Sequence, residues 1–169
     1  MIKTEEKRQW LIAIIIAATV FVFIKTFGFK ITRVTEYSME PTYVNGEIVF
    51  TSILSYKISN PERGDIVVFK HDGDDYIKRV IALPRDEVDF YFDEENDCYY
   101  TVINGEMLFE EYIKSPVDYI GEMEYPLVLG EGEYFCMGDN RTVSIDSRDF
   151  GAVEKETFVG KVVFKIVSK

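Results

Sequence analysis

Tyr76-Ile77-Lys78-Arg79-Val80-Ile81-Ala82-Leu83 follows the turn signal Asp72-Gly73-Asp74 and is stopped by Pro84. Its β-branched and aromatic residues, bounded on both sides by turn formers, read as a strand. The same pattern repeats outward from it. Upstream, Asn60-Pro61-Glu62-Arg63-Gly64-Asp65 leads into Ile66-Val67-Val68-Phe69, and Asn45-Gly46 precedes Glu47-Ile48-Val49-Phe50-Thr51. Downstream, short runs recur at 88–92, 99–103 (closed by Asn104-Gly105), 107–109, 133–137 and 161–167. Many short strands with Gly, Asn or Pro between them predict a mainly β fold of coiled antiparallel sheets. Residues 90–132 lie between two motif-bearing segments and are expected to form a small β subdomain.

The N-terminal stretch is different in kind. Trp10 to Ile24 is apolar apart from Thr19, and continuing through Lys25 to Phe29 gives 20 residues. A helix of that length spans a bilayer hydrocarbon core. Lys7 and Arg8 before it place the N-terminus in the cytoplasm by the positive-inside rule. A cleaved secretory signal fits less well, because Lys25-Thr26-Phe27-Gly28-Phe29 is bulky where a small-x-small site would follow. The expectation is one N-terminal transmembrane helix within residues 1–30, followed by an extracytoplasmic domain over 31–169, as in a single-pass protein of the cell membrane.

Charge narrows the function. The net charge of −11 over 169 residues excludes the basic footprint of a nucleic-acid binder. Residues 1–30 carry +3, the rest −14, and residues 86–133 alone hold 15 acids against one base, Lys114. A solvated acidic face is the simplest account. With a single histidine, His71, and no Cys-x-x-Cys, ligands for a metal are too few, and no metal or cofactor is expected. Cys136, between Phe135 and Met137, reads as a small core residue. A Cys98–Cys136 disulfide is the alternative outside the cytoplasm. Arg63-Gly64-Asp65 reads as a turn entering a strand, and Asn140-Arg141-Thr142 as a chance sequon.

Three stretches carry chemistry. In Ser38-Met39-Glu40-Pro41-Thr42 a serine precedes a proline-stiffened turn, where a hydroxyl stands clear of the backbone. In the strand 76–83, Lys78 points to one face and Ile77 and Arg79 to the other. A solvent-facing lysine is common there, whereas a buried one is pushed toward the neutral form and can act as a base. The third stretch packs Gly138-Asp139-Asn140-Arg141, Ser144 and Asp146-Ser147-Arg148-Asp149-Phe150-Gly151 directly after an apolar run. Such charges are costly to bury unless they pair.

Taken together, and in order along nearly the whole chain, these stretches resemble the bacterial type I signal peptidases, membrane-bound Ser/Lys endopeptidases, in their compact single-anchor form. The resemblance implies Ser38 as nucleophile, Lys78 as general base and Ser144 as the hydroxyl orienting it. It implies a structural ion-pair cluster of Asp146 and Arg148 with Arg79 nearby, and an oxyanion site at the Ser38 N–H bordered by Glu36. It further implies a monomeric enzyme without cofactor, at the lipid bilayer, that removes signal peptides from exported preproteins after small residues (an Ala-x-Ala-like site). Two positions depart from the family pattern. Arg85 stands where glycine is usual in a turn, and Glu36 where glycine or serine is usual. Glu36 keeps open the alternative of a catalytically silent relative acting as a membrane assembly or chaperone subunit. A self-cleaving Ser/Lys repressor would need a DNA-binding module in place of the apolar segment.

Overall fold

The computed structural model describes residues 2–166, and within the N-terminal helix the side chains of residues 6–22. Helix α1 (Ile2–Phe27) leads into β1 (Phe29–Arg33), β2 (Ile48–Ser52), the one-turn helix α2 (Ser55–Ile58), β3 (Ile66–His71) and β4 (Asp74–Ala82). The smaller sheet comprises β5 (Glu87–Asp93), β6 (Cys98–Ile103), β7 (Glu106–Met107) and β8 (Leu127–Val128). The chain then returns through β9 (Glu133–Met137), α3 (Ser147–Phe150), β10 (Val153–Glu154) and β11 (Phe158–Ile166).

All pairings within the two sheets are antiparallel, in the orders β1-β2-β11-β3-β4-β9-β10 and β7-β6-β5-β8. The mainly β architecture and its smaller acidic second sheet follow the sequence pattern closely. The central strands do not alternate. Val67, Val68 and Phe69 of β3 are all buried, because Val68 packs with Val34, Met39, Tyr43, Val49 and Val162 on one side of the sheet while Val67 and Phe69 pack with Val80, Tyr134 and Cys136 on the other. A strand covered on both faces reads as a continuous apolar run. A third cluster, including Ile81, Val88, Ile103, Leu129 and Phe135, joins the large sheet to the small one. In β4 the register against β9 shifts between Val80 and Ala82, so Ile81 and Ala82 both serve that cluster.

Several expectations change in detail. Helix α1 ends at Phe27, and Phe29 already opens β1, inside the segment assigned to the anchor. Among the described residues no helix is long and apolar enough to cross a membrane. The expected span, 10–29, includes residues 23–27, whose side chains lie outside those described. Cys98 and Cys136 are both buried free thiols, in different sheets, so the disulfide alternative falls. Arg85 takes up the left-handed conformation (φ +71°) that the family's glycine would supply, and its N–H donates to the Leu129 carbonyl at 3.1 Å. His71, the single histidine, ends β3 and stacks on Phe150 with ring centroids 4.1 Å apart.

Candidate active site

The stretch carrying Ser38 is a tight turn closed by two backbone bonds, Glu40 N–H to the Tyr37 carbonyl (3.2 Å) and Tyr43 N–H to the Met39 carbonyl (2.9 Å). Its Glu40–Pro41 peptide bond is cis. Met39 (1% exposed) and Tyr43 sink into the core cluster below, which fixes the residue next to Ser38 as a core side chain. Ser38 is left 7% exposed at the wall of a cavity of about 300 Å³. Lys78 lines the same cavity, as do Glu36, Tyr76 and Ile77.

Lys78 sits in the interior of β4, opposite Val67 of β3, and is 1% exposed. Its Nζ lies 5.7 Å from the centroid of the Tyr76 ring. Burial pulls its pKa below the ordinary lysine value, against the opposing pull of the Asp146 and Glu36 carboxylates. A lysine in this setting loses its proton more easily than one in water. Glu36 itself is exposed at the cavity rim.

The polar segment after β9 wraps under this pair, and its charges are matched. Asp146 is fully buried. Its carboxylate accepts from Arg148 Nε and Nη2 (2.9 Å each) and from the Gly138 N–H (3.0 Å). Burial pushes the Asp146 carboxyl up, yet the Arg148 guanidinium and these bonds hold it below the usual carboxylate range. Asp146 also caps α3, with a reciprocal bond from its own N–H to Asp149 Oδ2 (2.9 Å). Ser144 Oγ is buried beside this carboxylate without a well-aligned hydrogen bond to any described group.

Gly138 shows how close these parts are. A Cβ there would lie 2.2 Å from Ser144 Oγ and 2.5 Å from the Ser38 carbonyl oxygen, so only glycine fits between the two serines. The Asn140 N–H donates to that same Ser38 carbonyl at 3.0 Å. Gly138 thus brings the backbone of Ser38 close to Ser144, while Ser38 and Lys78 share the cavity wall.

Arg79 is not part of the Asp146–Arg148 pair. It leaves the opposite face of β4 and binds the fully buried Asp139 through Nε (2.8 Å) and Nη2 (2.6 Å), with Thr42 Oγ1 on the same carboxylate. Sequence reading singled out neither Asp139 nor the Arg141–Glu110 pair as site residues. The signal for them was the density of charge immediately after a buried strand, which requires partners without saying which. Among the described residues no group of His, Cys, Asp and Glu side chains is arranged to hold a metal ion.

The chain as a whole has relatives. The family model described as signal peptidase, peptidase S26, matches residues 7–167. Signal peptidase IB of Staphylococcus aureus is 34% identical, across 95% of this chain and 90% of the relative. A probable signal peptidase I-2 of Synechocystis is 37% identical over 82% of this chain and 63% of its own length. A crystal structure of a signal peptidase I from Enterococcus faecalis superposes with a TM-score of 0.50 and 34% identity, covering 62% of this chain and 98% of that one.

Proposed function

Since the chain belongs to the signal peptidase family, peptidase S26, and is of the bacterial type I kind, we propose that it is a Ser/Lys endopeptidase that removes signal peptides from exported preproteins after small residues. The observation that carries this reading is a buried lysine, pushed toward neutrality, opening into one cavity with Ser38. Neutral Lys78 takes the Ser38 hydroxyl proton as Oγ attacks the scissile carbonyl, because an unassisted hydroxyl is a weak nucleophile. The Ser38 N–H receives the oxyanion. Lys78 returns the proton to the departing amine, and water then releases the acyl group with Lys78 again as base. Ser144 orients the lysine, and Asp146 with Arg148 holds the loop beneath it.

The same reading assigns α1 to the bilayer as a single anchor, with residues 31–169 on the far side. Its support is the described part of the helix, where Trp10 (71%), Val22 (60%), Ile16 (58%) and Val20 (50%), which point to different sides, are all exposed. A helix apolar all round needs an apolar surrounding, and the β domain does not cover these side chains.

The test is incubation of the purified protein with a preprotein bearing an Ala-x-Ala site, beside its Ser38→Ala and Lys78→Ala forms. Cleavage at that site by the unmodified protein alone is the expected result, with each variant slower by at least about 10²-fold. Turnover by Lys78→Ala near that of the unmodified chain overturns the assignment.

A further inference from the structure

The polar loop 138–141 touches the nucleophile through its backbone, and something outside the loop must hold it there. Arg141, whose side chain is 0% exposed, extends away from Ser38 and meets Glu110, 5% exposed, in the segment that follows β7 of the small sheet. The pair is bidentate, with Nη1 to Oε2 at 2.8 Å and Nη2 to Oε1 at 2.5 Å. Each Glu110 oxygen has a second donor, Thr101 Oγ1 (3.0 Å) and the Tyr112 hydroxyl (2.7 Å). The same guanidinium binds back to its own loop, from Arg141 Nε to the Gly138 carbonyl at 3.0 Å. An unbroken path therefore runs from Glu110 through Arg141 to Gly138 and Asn140, and from the Asn140 N–H to the Ser38 carbonyl.

We propose that Glu110 is a positioning residue, which sets the place of Ser38 by gripping Arg141 and so tensioning the loop between them. Two further contacts from the same segment act in the same direction. The Tyr112 ring lies under the Arg79 guanidinium at 3.9 Å, and the Lys114 N–H donates to the Asp139 carbonyl at 3.1 Å. The small acidic sheet is thereby a brace for the catalytic loop as well as a solvated face. A misplacement of about 1 Å at the reacting atoms costs on the order of 10²-fold in rate. Only the kinetic effect of Glu110 depends on the peptidase reading of this site.

The test uses the full chain in detergent. Glu110→Gln breaks the pair and leaves Arg141 buried and uncompensated, so it can fail to fold. The double variant Glu110→Leu/Arg141→Met removes the pair without leaving a buried charge, an exchange that cores tolerate, and it therefore decides. Amide hydrogen exchange is followed at Asn140 and across β2, β3 and β4, together with kcat and KM on the preprotein. The expected result is full protection in the strands, about tenfold less protection at the Asn140 N–H, a kcat lowered about tenfold and a KM within about twofold. Tyr112→Phe, which strips one hydrogen bond from Glu110, gives a smaller change in the same direction. Unchanged Asn140 protection together with unchanged kcat in a folded double variant overturns the proposal. Should the unmodified protein fail to cleave, the peptidase reading falls, while the Asn140 protection still decides whether Glu110 holds the loop.

Discussion

Lys78 is the residue whose chemistry is most constrained by its surroundings. Because burial lowers its folded pKa below the unfolded value, the unfolded chain binds a proton that the folded one does not between those two values. Stability therefore rises with pH across that window, and the penalty for burying the lysine is largest below it. Lys78→Met is expected to raise the melting temperature at neutral pH, an advantage that fades above the ordinary lysine pKa; a gain independent of pH would contradict the linkage. In the proposed mechanism the same titration sets the rate. Because the neutral form is the base, kcat/KM is expected to climb with pH to a midpoint below the ordinary lysine value, and a flat pH–rate profile would remove lysine from the mechanism. Glu36 lines the cavity but is exposed, so its carboxylate has access to solvent. Glu36→Gly and Glu36→Gln are expected to keep turnover or raise it modestly. A large fall in Glu36→Gly that Gln restores, seen in single-turnover rates, would make Glu36 an oxyanion donor instead.

At the level of the element, the loop from β9 to α3 is held by glycine and by capping. Gly138→Ala forces a methyl group into the Ser38 carbonyl and Ser144, and backbone and buried oxygen cannot both give way. Activity is expected to fall by at least about tenfold, with the far strands unaffected in hydrogen exchange; wild-type kinetics would show the loop to be softer than its contacts imply. Asp146 combines the N-cap of α3, the partner of Arg148 and the acceptor for Gly138 in one side chain. Asp146→Ala leaves Arg148 buried without its partner, a loss of about 3–5 kcal/mol in denaturant unfolding. A change below about 1 kcal/mol would mean that Arg148 finds water in the variant.

For the whole molecule, the described residues of the β domain form three core clusters, and none of these includes a described residue of α1. A chain starting at Phe29 is expected to fold, with near-unchanged circular dichroism in the β region, and to cleave short peptides slowly. Its disadvantage against bilayer-bound preproteins follows from lost local concentration and not from lost chemistry. Failure of that shorter chain to fold would place the domain boundary elsewhere.

Turn residues at fixed intervals and β-branched runs between them determined the mainly β class and the strand at 76–83, because strand periodicity and turn chemistry are local properties. The order of the Ser38 stretch, the Lys78 strand and the Gly138-to-Gly151 block along the chain pointed to the family, since three such stretches in order rarely coincide. Other features depended on contacts between residues far apart in sequence. The charges after β9 had to pair, but only the packed sheets brought Arg79 to Asp139 and Arg141 to Glu110, 60 and 31 residues away. Likewise the run Val67-Val68-Phe69 showed its apolar character in the sequence, whereas its burial on two faces came from Val34, Met39 and Tyr43 packing on one side and Tyr134, Cys136 and Phe150 on the other. Cys98 and Cys136 could have been partners on composition alone, and the fold decided otherwise by placing them in separate sheets. Local sequence sets which conformations a segment prefers; which charge neutralises which is a property of the three-dimensional neighbourhood, where burial makes an unpaired group too costly to keep.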